Sequence, residues 1–122
     1  MKLSVDIDAI KGFMDADEGL ALYESARSVA ALGPCLEIGS YCGKSTVYLG
    51  AGCQESQNSL FAIDHHRGSE EHQVGEAYHD AELYDAEAGL FDSFAVFRSN
   101  ILAAQLEDTV IPIVAASKVV GR

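Results

Sequence analysis

The run Glu37-Ile38-Gly39-Ser40-Tyr41-Cys42-Gly43-Lys44-Ser45-Thr46 gathers residue types that can hold a polar ligand: a carboxylate, two glycines and a cluster of hydroxyls. Glycine lets the backbone approach a ligand closely, and the first amides of a helix are free to donate hydrogen bonds. Asp64 follows about 20 residues after Gly43, closing the short apolar run Leu60-Phe61-Ala62-Ile63, where a carboxylate can accept both hydroxyls of a ribose. Three ligand chemistries compete for this constellation. Gly39-x-x-x-Gly43-Lys44-Ser45 is close to a phosphate-binding P-loop, but that loop has four residues between its glycines and here stand only Ser40, Tyr41 and Cys42, which shortens the anion nest. The dinucleotide fingerprint Gly-x-Gly-x-x-Gly fails as well. Counted from Gly39, its second glycine is Tyr41, whose side chain obstructs close approach of a pyrophosphate, and its third is Lys44. The third chemistry is a nucleoside without phosphates, for which a bulkier middle residue is tolerable.

Periodicity supplies the elements that must position these groups. Leu20, Tyr23, Arg27 and Ala30 share one helical face, with Leu22, Ala26 and Val29 beside it, and Gly33-Pro34 ends the helix. A shorter helix is expected around Ile7, Ile10 and Phe13, with Asp6 as its cap. Cys35 to Gly39 then reads as a strand, Lys44 to Cys53 as a helix, and Leu60 to Asp64 as a second strand buried on both faces. Leu90, Phe94, Phe97 and Ile101 recur at helical spacing, and Val110 to Ala115 is a third strand. Alternating strands and helices imply a parallel sheet with right-handed crossovers. Pro112 cannot donate to a ladder, so the third strand belongs at a sheet edge, as it would in the first half of a doubly wound fold. The expected architecture is a single α/β domain over residues 1–122: a Rossmann-like three-layer sandwich, truncated after the third parallel strand, with N-terminal helices.

The spacing Glu37-x-Gly39-x-x-x-Gly43, the Gly33-Pro34 before the first strand and the Asp64 that ends the second resemble class I S-adenosylmethionine-dependent methyltransferases. The stretches Gly33 to Thr46 and Ile63 to Gln73 are especially similar to a bacterial subgroup of small-molecule-type methyltransferases. The resemblance spans essentially the whole chain but only the first half of the family's domain. It implies S-adenosyl-L-methionine as cofactor and a small-molecule methyl acceptor. It also implies that Glu37 sits near the methionine ammonium, that Gly39, Ser40, Tyr41 and Gly43 line the methionine and ribose, and that Asp64 binds the ribose hydroxyls. His65 would lie beside the adenine and Ser117 on its other side. Tyr41 replaces the middle glycine of the general family pattern.

All four histidines, His65, His66, His72 and His79, fall in one segment interleaved with Glu70, Glu71, Glu76 and Asp80. The set lacks a compact His-x-x-x-His pair, so a loop over a ligand or against solvent is favoured over a metal site. His66 or His72 could act as a base toward a protonated acceptor, yet nothing in the sequence singles out a catalytic residue. Cys35, Cys42 and Cys53 are odd in number and lack metal-ligand spacing, which reads as reduced thiols in a reducing compartment.

Eight basic residues against nineteen acidic ones leave a net charge of −11, which argues against a nucleic-acid or anionic-membrane surface. No stretch approaches the ~20 apolar residues of a membrane span and no secretory signal opens the chain, so the cytoplasm is expected. Without a fourth strand, the first strand keeps an open edge beside Leu36 and Ile38. Such edges are normally covered, so a homodimer or larger homo-oligomer is expected. The readings that follow are a methyltransferase cofactor-binding half that is incomplete as an isolated enzyme, a noncatalytic binding or assembly module keeping the nucleoside site, and a P-loop nucleotide-binding protein.

Overall fold

In the computed structural model of the chain the described residues are Met1, 3–66, 84–85, 90–91 and 93–115, with the backbone alone for 84, 85, 90 and 91. The order is α1 (Ala16–Ser28), β1 (Cys35–Ile38), α2 (Lys44–Glu55), β2 (Leu60–Asp64), β3 (Tyr84–Asp85), β4 (Leu90–Phe91), α3 (Phe94–Ala103) and β5 (Val110–Val114). β1 and β5 each pair in parallel with β2, so β2 is central and Pro112 lies on an edge strand as its missing N–H requires. β3 and β4 form a separate two-residue antiparallel ladder.

Two helical expectations change. The segment around Ile7 forms only a single 3-10 turn, Ile7–Ala9, capped by the Asp6 side chain on the Asp8 amide, and Phe13 lies outside it. Leu90 belongs to β4, so its spacing to Phe94 is not a helix face; α3 begins at Phe94 and buries Phe97 and Ile101.

The buried seam of α1 is Gly19, Tyr23 and Ala26, while Leu20 and Arg27, placed on the inner face by the apolar stripe, are exposed. Small residues decide this. A Cβ at Gly19 would lie 2.1 Å from the Tyr48 ring, and one at Gly52 would lie 2.4 Å from the Tyr23 carbonyl oxygen, so α1 and α2 approach each other through their glycines. The helix starts with a reciprocal capping box between Asp15 and Glu18. The Glu18 amide bonded to Asp15 holds that carboxyl below its usual range.

Parallel register puts Cys35, Leu60 and Val110 in one row of side chains and Leu36, Phe61 and Ile111 in a row on the opposite face. The first face carries the core. Leu60, Ala62 and Val110 join Ala26 of α1, Val47 and Cys53 of α2, and Phe97 and Ile101 of α3 in one cluster. On the second face Ile63 is buried, but Leu36 is 60% and Ile38 64% exposed. Among the described residues the helices therefore cover one side of the sheet, and the third layer of the expected sandwich is not among them.

Candidate functional site

β1 ends at Ile38 and the chain turns through Gly39 to Gly43 into α2. Ladder bonding continues one residue past the strand, with the Gly39 N–H donating to the Ile63 carbonyl at 2.8 Å. The Gly43 N–H then donates to the Ser40 carbonyl at 2.9 Å, closing a four-residue turn, and the Asn100 side chain of α3 donates to the Cys42 carbonyl at 2.8 Å. Gly39, Tyr41 and Gly43 all have positive φ, 87°, 49° and 95°. Tyr41 thus stands in a left-handed conformation that suits glycine better, which is the physical content of its departure from the general family pattern.

The two glycines serve different neighbours. Among the described residues a Cβ at Gly39 would meet nothing within 4 Å, leaving open space beside the exposed backbone, whereas one at Gly43 would lie 3.1 Å from Phe97 and 3.6 Å from Ile101. Gly43 is a buried packing position against α3.

Asp64, at the end of β2, reaches across to this loop. Its Oδ2 accepts the Tyr41 N–H at 2.7 Å and its Oδ1 accepts the His66 N–H at 3.0 Å. A carboxylate has about four acceptor sites, so each oxygen keeps capacity for a ligand hydroxyl, and Asp64 is only half-buried.

Glu37 lies beneath the loop, 8% exposed, and accepts the hydroxyls of Ser45 and Thr46 in the first turn of α2. Burial raises its pKa; the hydroxyls of Ser45, Thr46 and Ser40 oppose that shift and the charge of Asp64 adds to it. Ser40 is itself buried. It lines a cavity of about 260 Å³ together with Phe13, Met14, Gly39, Tyr41 and Lys44.

Sequence reasoning missed the far wall of that cavity. Phe13 is 76% exposed and stands beside Met14 just before the Asp15 cap; two large apolar residues directly ahead of a helix cap are the signal that could have found it. Lys44 enters because its stem passes over Gly12, where a Cβ would lie 3.1 Å from the lysine Cβ. A larger cavity of about 520 Å³ lies between α3 and β5 and contains none of the predicted site residues.

His65 is exposed directly after Asp64, at the same end of the sheet as the loop. His66 is not positioned as a base for that cavity: it is buried, with its ring 5.2 Å from Phe94 and 4.9 Å from Phe97, and its Nδ1 2.9 Å from Ser93 Oγ. Its carbonyl accepts the Ser93 N–H at 2.8 Å, so it ties Asp64 to the start of α3. Ser117, His72 and His79 lie outside the described residues. Among the described residues no group of three or more His, Cys, Asp or Glu side chains is arranged to hold a metal ion, and no helix is long and apolar enough to cross a membrane.

The profile of a family described as "Methyltransferase domain" matches residues 36–118, from the second residue of β1 through the loop, α2, β2, α3 and β5. Among solved structures, cofactor-bound Rv0187 from MTB superposes with a TM-score of 0.55 at 20% sequence identity. The match covers 90% of this chain and 39% of that one. At that identity the likeness concerns the fold, and it is the fold of the parallel sheet described above.

Proposed function

The chain belongs to the family of methyltransferase domains, and on that footing we propose that the loop after β1 and the carboxylate at the end of β2 form the binding half of a site for S-adenosyl-L-methionine. The observation that carries this reading is the hydrogen bond from the Tyr41 amide to Asp64, because it brings the loop and the acid of the second strand to one place. The residues present fit such a ligand. Ser40 lines a cavity beside the loop, the open side of Gly39 admits close backbone approach, and Asp64 keeps acceptor capacity for two ribose hydroxyls. When bound, this cofactor supplies a methyl group on a positively charged sulfur that a nucleophile can displace.

The chain's own part is to bind and align. Asp64 holds the ribose, and the Gly39 to Tyr41 backbone lies along the methionine and ribose. Glu37 acts on the methionine ammonium from below by its charge, held in place by the hydroxyls of Ser45 and Thr46. His65 flanks the adenine, with Ser117 assigned to its other side. Displacement at the methyl carbon depends mostly on alignment and exclusion of water, and no described side chain is assigned as a base.

The acceptor is a small molecule, and in this reading its site is supplied largely by polypeptide beyond the residues seen here, so that the chain alone binds cofactor without efficient turnover. That the chain matches only 39% of the length of Rv0187 supports this division. A noncatalytic module retaining the nucleoside site is the second reading, favoured by the same observation; the family match sets the P-loop reading aside. Calorimetric titration with S-adenosylhomocysteine, repeated with Asp64→Ala, tests the site. Saturable binding that the variant loses is expected, and a folded chain that does not bind overturns the assignment. Turnover of methyl group by the isolated chain would overturn the division of labour.

A further inference from the structure

Two thiols that methyl transfer does not use lie at the opposite end of β1 from the cofactor loop. Cys35 opens β1 in the inward row with Leu60, and Cys53 lies in the last turn of α2, fully buried in the core cluster against which Cys35 packs. Asn58 spans them. Its backbone N–H donates to the Cys53 carbonyl at 2.8 Å, while its side-chain amide donates to the Gly33 carbonyl at 2.9 Å and lies 4.0 Å from Cys35 Sγ. Their access to solvent differs. Cys35 is half-buried and lines a cavity of about 310 Å³ shared with Ala26, Val29, Leu32, Leu36 and Leu49, whereas Cys53 has no exposed surface.

We propose that Cys35 and Cys53 are an oxidation site: a hydroperoxide reaches Cys35 through this cavity, and Cys53 then closes a disulfide joining the start of β1 to the last turn of α2. In the first step the Cys35 sulfur attacks the peroxide oxygen, the O–O bond breaks, and the products are a sulfenic acid and the alcohol, or water when the oxidant is hydrogen peroxide. In the second the Cys53 sulfur attacks the sulfenic sulfur, the S–O bond breaks, and the oxygen leaves as water with the remaining thiol proton. The thiol pair loses two electrons and the peroxide gains them.

Burial, and after it the hydrogen bond and charge of the adjacent Cys35, push the Cys53 thiol up to about 12. Cys53 is therefore protonated at neutral pH and unsuited to meet oxidant first. Cys42 takes no part. It is buried in the loop after β1, at the other end of the strand.

The test is intact-mass measurement of the full folded chain after limited hydrogen peroxide treatment, with peptide mapping under non-reducing conditions. The expected result is loss of two hydrogens, one titratable thiol instead of three, a cross-link between Cys35 and Cys53, and full reversal by dithiothreitol. Cys53→Ser should stop at a sulfenic acid on Cys35 that dimedone traps, and Cys35→Ser should resist oxidation. Wild-type readouts keep the test independent of whether either variant folds. A cross-link through Cys42, attack on Cys53 before Cys35, or an unmodified Cys35 in the folded chain overturns the proposal.

Discussion

The Asp64 carboxylate accepts the backbone N–H of Tyr41 at 2.7 Å, joining the end of β2 to the loop that follows β1. The same group also accepts the His66 N–H, and through His66 it is linked to Ser93 at the start of α3. Removing it strips two backbone donors of their partner. Asp64→Ala is expected to cost about 1 to 3 kcal/mol of stability, the range for leaving partly buried donors unsatisfied, and to abolish S-adenosylhomocysteine binding. Asp64→Asn keeps one acceptor oxygen, so it should recover part of the stability and little of the binding. Urea unfolding and calorimetry on the same samples separate the two effects, and an Asn variant that binds like wild type would show that the charge is not needed.

Gly39 and Gly43 share a left-handed backbone but not an environment, so alanine should distinguish them. Gly39→Ala adds a methyl group to open space and should cost only the backbone strain, about 1 kcal/mol, while interfering with ligand approach. Gly43→Ala adds the same strain and drives a Cβ to 3.1 Å from the fully buried Phe97, for a total of about 2 to 4 kcal/mol. Binding weakened more in the Gly39 variant and melting temperature lowered more in the Gly43 variant is the expected pattern; the reverse order would exchange their roles.

Glu37 ties stability to pH in a direction that can be worked out. Burial raises its pKa in the folded chain above the ordinary value of 4.5, so the folded state retains this proton to higher pH than the unfolded state does. Stability from this group therefore falls as pH rises from the unfolded value through the folded one, and the full cost of the buried charge stands above both. Glu37→Gln removes the titration while its amide still reaches Ser45 and Thr46. Wild type should gain stability relative to the variant on acidification toward the ordinary carboxylate range, measured by denaturant unfolding at several pH values. A difference independent of pH, or wild type gaining on the variant as pH rises, would contradict the raised pKa.

Much of this was legible in the residues because it follows from short-range rules. Pro112 placed β5 on an edge, and the apolar run ending in Asp64 gave a strand with its acid at the correct end. What escaped depended on contacts distant in sequence. The inner face of α1 runs through Gly19 because Tyr48 of α2 fills the space above it, and no hydropathy pattern reports that. Phe13 lines the cavity although it sits in no regular element, and the packing of Gly43 against Phe97 joins residues far apart in the chain. Leu90 shows the converse hazard: a helical spacing that ended in a two-residue strand.

The uncovered side of the sheet yields the last prediction. Among the described residues β1 pairs with β2 alone, leaving one ladder edge unpaired, and Leu36 and Ile38 stand 60% and 64% exposed beside it. Ile111 of β5, in the same row as Leu36, is exposed as well. Open edges flanked by apolar side chains invite pairing, and we expect a second copy of this chain to close this one. The net charge of −11 opposes association between identical chains, so an apolar contact should tighten as salt screens that repulsion. Sedimentation should give a dimer mass that is better populated at high salt. The double variant Leu36→Lys, Ile38→Lys changes only exposed side chains, which ordinarily alters stability by no more than about 0.5 kcal/mol each, and should run as a folded monomer. A wild-type chain that stays monomeric at both salt concentrations, or a dimer untouched by the two lysines, would remove this edge as the site of self-association.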